Sequence, residues 1–238
     1  MTRAAPPHAS DSGRRRTHSA RRHLAWLGAG LVVGFVVPFL FADVLHLPRD
    51  LYYGIYIVAV FALFVLWART TGQRLDVMLR RRRRLAVFLG VVFAVVLAAA
   101  VVLSEPAGPR PEGLALVWAV LWRGVAYGAA DGLLLSAFPI LTVFAAAEGS
   151  KHRRRRSSTV VVGAGALLAS LVMTMVYHLG YRDFRSPLLV RPVAADLVWS
   201  VPTLVTLNPI GAPIAHAGMH VAAVLHSYDT EVFLPPHR

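Results

Sequence analysis

Leu114 to Ala147 reads LALVWAVLWRGVAYGAADGLLLSAFPILTVFAAA, 34 residues whose only charged side chains are Arg123 and Asp131. As one helix this run would be about 51 Å long, against a bilayer hydrocarbon core of roughly 30 Å. Either the helix tilts and protrudes, or its first part lies near the interface. Trp118, Trp122 and Arg123 favour an interfacial beginning, and Pro139 is placed to kink the later half.

Similar apolar runs recur on both sides of this one. Leu24 to Phe41, Leu51 to Ala68 and Leu85 to Leu103 precede it, and Thr159 to about Tyr181 and the Pro-interrupted stretch 192–207 follow it. Asn208-Pro209 then turns the chain into a last helix over about 211–226. The composition agrees: 56% of residues are hydrophobic and only 16% charged, where a soluble domain carries about a quarter charged residues. The sequence therefore predicts an all-α polytopic transmembrane helical bundle of about seven spans. Four stretches divide it: a basic, disordered cytoplasmic tail over 1–23, three helices over 24–103, a core over 114–226 and a polar tail over 227–238.

The formal charge of +13 is concentrated in clusters beside the apolar runs. Seven arginines fall at 69, 74 and 80–84, and a basic loop covers Lys151 to Arg156. Cytoplasmic loops facing anionic lipid headgroups select this pattern, which argues against a nucleic-acid partner. With seven crossings the N-terminal tail and both clusters fall on one side, predicted to be the cytoplasmic face of the plasma membrane. The loop with Arg182, Arg185 and Arg191 falls on the other side, as does the C-terminus. Arg21-Arg22 before an apolar run suggests a twin-arginine signal, but no small-x-small cleavage site follows, so a retained helix is the expectation. The aromatics Tyr52, Tyr53, Tyr56 and Trp67 are expected in an interfacial belt. The chain has no cysteine, which excludes disulfides and thiolate chemistry. There is no phosphate loop or nucleotide fingerprint.

Few polar groups interrupt the apolar part, and groups in such surroundings face a bundle interior or a wet cavity and have partners. Asp131 lies in Tyr127-Gly-Ala-Ala-Asp131-Gly132-Leu-Leu-Leu-Ser136, His178 in Thr174-Met-Val-Tyr-His178, and two histidines in His216-Ala-Gly-Met-His220. The last spacing puts both imidazoles on one helix face. Plainer roles exist for each. Asp131 can pair with Arg123 across the Tyr127 turn, His178 can bond at a span end, and His216 and His220 can tie helices together. His226 reads as interfacial.

In order and spacing these stretches resemble the CPBP family, the CAAX-processing and bacteriocin-processing intramembrane proteases also called abortive-infection proteins. That family carries a Glu-Glu-x-x-x-Arg motif, then Phe-x-x-x-His, then His-x-x-x-Asn. The likeness covers roughly residues 114–226, and the run Ala212-Pro213-Ile214-Ala215-His216-Ala217 is the most family-like. It implies an intramembrane endopeptidase in which Asp131 and His178 activate water while His216 and His220 stabilise the oxyanion. The departures are Asp131 for the first Glu, Gly132 for the second, Ser136 for Arg, Thr174 for Phe and His220 for Asn. They imply a divergent member with weakened or altered chemistry acting on a peptide or protein in the bilayer.

The same residues leave other readings open. Asp131, His178, His216 and His220 are a plausible ligand set for Zn²⁺ or another transition metal. Paired histidines on separate helices, drawn from His178, His216 and His220, can also ligate haem axially, and a non-catalytic membrane scaffold would use its polar residues only to hold helices together.

Overall fold

The structure is a computed structural model that describes residues 9–148, 156–228 and 233–235. It is an all-α bundle of membrane type, with no strand among the described residues. Helix α1 covers Ala9–Val37 and continues as a π-helix over Pro38–Val44. It is followed by α2 (Arg49–Thr71), the short α3 (Leu75–Arg80), α4 (Arg83–Ser104) and α5 (Gly113–Glu148). Then come α6 (Arg156–Leu179), α7 (Pro187–Thr206) and α8 (Gly211–His226). Six helices have the length and apolar character to cross a bilayer: α1 from Ala20, α2, α4, α5, α6 from Thr159, and α7. Helix α8, at 16 residues, is only about 24 Å long.

Local chemistry explains where these helices bend and stop. Pro38 lacks the amide hydrogen that an α-helix needs, and the i→i+5 pattern of the π segment absorbs the defect. Helix α2 ends at Gly72, whose φ of +73° is the left-handed conformation that glycine adopts without a Cβ clash. Its amide closes back on Ala68 and Arg69. Helix α7 has a turn at Ser200, two residues before Pro202, and its i→i+4 hydrogen bonds run on through it.

Residues 113–148 form one continuous helix, and Pro139 does not break it. Instead α5 contains two π-helical segments, Val120–Ala126 and Gly132–Ala137. Its first part carries exposed Leu114, Val117, Trp118 and Leu121, whereas nearly all of it from Tyr127 to Thr142 is buried. It is the central helix of the bundle.

The expectation of a structureless tail through residue 23 needs correcting. Helix α1 begins at Ala9, and His23 is buried at one end of the bundle, where its Nδ1 accepts a hydrogen bond from Trp67 Nε1 at 3.1 Å. Residues 1–8 of that tail, most of the 151–156 basic loop and most of the C-terminal tail lie outside the described residues. The interfacial belt is also corrected. Tyr52, Tyr53, Tyr56 and Trp67 are all fully buried, because α2 turns them inward onto α1, α5 and α6.

Polar contacts fix the two ends of the bundle. At one end Arg22 donates to the Thr70 carbonyl (2.8 Å), Arg82 to that of Val205 (3.0 Å), and Asn208 Nδ2 to those of Leu79 and Arg81 (3.1 and 2.6 Å). The arginine cluster over 69–84 therefore shares an end with the start of the α1 crossing. At the other end Arg185 pairs with Asp43 at 2.9 Å and Arg123 with Asp50 at 2.8 Å. Two arginines on the predicted outer side thus have carboxylate partners.

Candidate functional site

Helix α8 carries the His216/His220 pair and sits between α4 and α5. Against α5 it approaches to backbone contact along a row of glycines, Gly124, Gly128 and Gly132. A Cβ built on Gly128 would lie 2.8 Å from Ala217 Cα, and one on Gly132 would lie 2.6 Å from the Ala212 carbonyl oxygen. Small residues permit this approach, as they do between helices in lipid. At Gly132, α8 backbone occupies the space that a side chain would need.

The close approach brings Asp131 of α5 to His220 of α8. His220 Nε2 lies 3.2 Å from Asp131 Oδ2, and Tyr56 of α2 donates to Asp131 Oδ1 at 2.7 Å. Asp131, His216 and His220 are all buried, and each offers one ligand atom within 4.8 Å of the others. Both ring nitrogens of His216 and Nδ1 of His220 lack a hydrogen-bond partner although they are inaccessible. Trp199 of α7 packs over His216 with ring centroids 4.2 Å apart, and Tyr127 meets His220 edge-on at 5.2 Å.

A cavity of about 260 Å³ has Asp131, His178, His216 and His220 in its lining. Leu97, Ala195 and Met219 make its sides apolar, and it also meets Glu105, Arg191 and Phe233. All four residues singled out in the sequence therefore face one space, but they are not equivalent. His178 stands outside the group of three, and its Nδ1 bonds to the Thr174 carbonyl at 2.7 Å. The imidazole in contact with the carboxylate belongs to His220, not to His178.

Two pairings suggested by the sequence are absent. Arg123 does not reach Asp131; it forms a forked pair with Asp50 (2.8 and 3.0 Å) and bonds to Tyr228. Tyr127 does not bridge them, because its hydroxyl bonds to that of Tyr177. Ser136 donates to Asp196 of α7 at 3.2 Å. Ser170 and Ser200 donate to the same carboxylate oxygen at 3.1 and 2.5 Å, so this second buried carboxylate joins α5, α6 and α7.

The sequence reading missed the tyrosines. Six of the seven in the chain, at 52, 53, 56, 127, 177 and 181, are buried in one cluster beside Asp131. Their hydroxyls form a chain from Tyr127 to Tyr177, from Tyr177 to Tyr181 (2.7 Å) and from Tyr181 to Tyr52 (2.5 Å). The spacings 52/56 and 177/181, each one helical turn, were the available signal. The four-residue repeat of Gly124, Gly128 and Gly132 was another. Comparison of the chain with protein-family models, curated proteins and solved structures gives no match.

Proposed function

We propose that the chain is an intramembrane hydrolase of the CPBP type, acting on a peptide bond of a membrane-borne substrate. The observation that carries this reading is the meeting of Asp131 with His216 and His220 on the lining of a cavity that His178 shares. It is supported by the motif resemblance over residues 114–226.

In this reading Asp131 and His220 are the water-activating pair, at 3.2 Å from each other. Tyr56 occupies the second carboxylate oxygen and holds the group in one orientation. A water entering the cavity gives its proton to the pair and attacks the carbonyl carbon, and the proton is then delivered to the leaving amine. His216, and His178 across the cavity, serve the developing oxyanion. The apolar lining suits a substrate that is itself in the bilayer. The plasma membrane, with the arginine clusters on the cytoplasmic face against anionic lipid, is the location this reading requires.

The test is cleavage by the purified full chain in liposomes, using fluorogenic peptides with apolar flanks. Asp131→Asn and His220→Ala should each lower the rate by on the order of 10²-fold or more, with retained size-exclusion profiles. Cleavage that survives both substitutions overturns the reading. So does a chain whose variants alter only its assembly with other membrane proteins, which would identify a scaffold.

A further inference from the structure

We infer that Asp131, His216 and His220 form a binding site for one divalent transition-metal ion of the zinc or cobalt type. The inference rests on the hydrolase reading and deepens it: with the ion bound, Asp131 and His220 would act as its ligands and the ion, in place of the bare pair, would activate water; binding can be measured without hydrolysis.

Three observations converge on the site. The donor set is one carboxylate oxygen and two imidazole nitrogens from two helices, all within 4.8 Å of one another. Tetrahedral zinc with bonds of about 2.0–2.2 Å needs its ligand atoms closer still, so binding would draw the three side chains together. Second, His216 has no hydrogen-bond partner on either nitrogen and is 1% exposed. A buried imidazole with nothing to bond is costly to maintain, and ligation satisfies the nitrogen turned to the metal. Third, Asp131 already has an outer partner in Tyr56, the kind of support that orients a ligating carboxylate.

The chemistry of the donors selects the ion. Two imidazoles and one carboxylate favour zinc, cobalt, nickel or copper over magnesium or calcium, which prefer oxygen cages. Three protein ligands leave a fourth position open, and all three residues line the cavity. The His-x-x-x-His spacing on α8 presents both rings on one face, with centroids 6.2 Å apart. His178 lines the same cavity but is not part of the set.

The experiment uses the purified full chain in detergent, treated with a chelator and titrated with Co²⁺ under visible absorption. The expected result is the d–d spectrum of tetrahedral cobalt, saturating at one ion per chain and abolished by Zn²⁺ in competition. His216→Ala should remove the spectrum, and His178→Ala should retain it. Because His216→Ala can fail to fold, Tyr56→Phe is the second variant. It removes only the outer hydroxyl and should weaken binding by about 10–100-fold. No cobalt spectrum and no zinc competition in the wild-type chain overturns the inference, as does a spectrum lost in His178→Ala but kept in His216→Ala. Peptide cleavage that persists in chelator without a cobalt spectrum sinks the metal site and leaves the hydrolase reading standing. Tight metal binding with no cleavage of any peptide does the reverse.

Discussion

Gly128→Ala adds a single methyl group in the middle of the close α5–α8 contact, and its effect follows from the distances. The new Cβ would lie 2.8 Å from Ala217 Cα, 2.9 Å from His220 Cδ2 and 3.1 Å from Ala217 N. Carbon atoms rest at about 3.5–4.0 Å, so the two helices must part by roughly 0.7–1.2 Å. Backbone on one side of the contact leaves no flexible side chain to yield. Overpacking of this kind costs about 1–3 kcal/mol. At about 2–4 °C per kcal/mol for a chain of this size, the melting temperature should fall by about 2–12 °C. The functional effect should be sharper. Asp131 and His220 are 3.2 Å apart, already at the long end of the N–H···O range, and the same displacement carries them beyond hydrogen-bond reach. Tryptophan fluorescence of purified protein during heating is a suitable readout, because a chain without cysteine gives no signal with thiol-reactive dyes. Gly163→Ala is the control, since nothing lies within 4 Å of a Cβ there and alanine is the better helix former. If Gly128→Ala melts at or above the wild-type temperature, as Gly163→Ala should, the argument from close helix approach fails.

Three other substitutions or fusions probe separate parts of the molecule. Asp196→Ala removes the acceptor shared by buried Ser136, Ser170 and Ser200, and should cost about 1–3 kcal/mol for each group left unsatisfied. Asp196→Asn keeps a carbonyl oxygen and should cost less; equal melting of the two variants would remove that carboxylate from the account. A double-mutant cycle on Arg123 and Asp50 should give a coupling of about 0.5–1 kcal/mol, as Asp50 is well exposed, and a zero coupling would mean the pair is decorative. Reporter fusions after Arg84 and at the C-terminus should give opposite topology signals, while matching signals would mean a miscounted crossing.

The helices were legible in the sequence because lipid leaves little choice: long apolar runs must hydrogen-bond internally and arginine clusters mark their ends. The 114–147 run was legible as one long apolar stretch, but its π segments were not. They arise from how α5 packs, and no residue in Val120–Ala126 or Gly132–Ala137 announces them in isolation. In the candidate site, Asp131, His178, His216 and His220 stood out because ionisable groups are rare there. Their distinct contacts could not be read, since spacing along a helix does not say which facing helix supplies the partner. Tyr56 is the clearest case. A tyrosine near the start of an apolar run looks interfacial by composition, and only the inward turn of α2 makes it the partner of a buried carboxylate. Arg123 shows the opposite error, because Asp50, seventy-three residues away in sequence, offers a better geometry than Asp131.

The shortness of α8 bears on how the protein is made. A helix of 16 residues that carries His216 and His220 is a poor candidate for partitioning from the translocon into lipid by its own hydropathy. The surfaces that receive it, α4 and the glycine row of α5, precede it in chain order. Membrane insertion of α8 is then an act of docking into helices already in place, with Asp131 waiting for His220 as the receptor for its polar face. Biogenesis and site assembly become the same event: a chain that fails to integrate α8 also leaves Asp131 without its imidazole, exposed to membrane quality control.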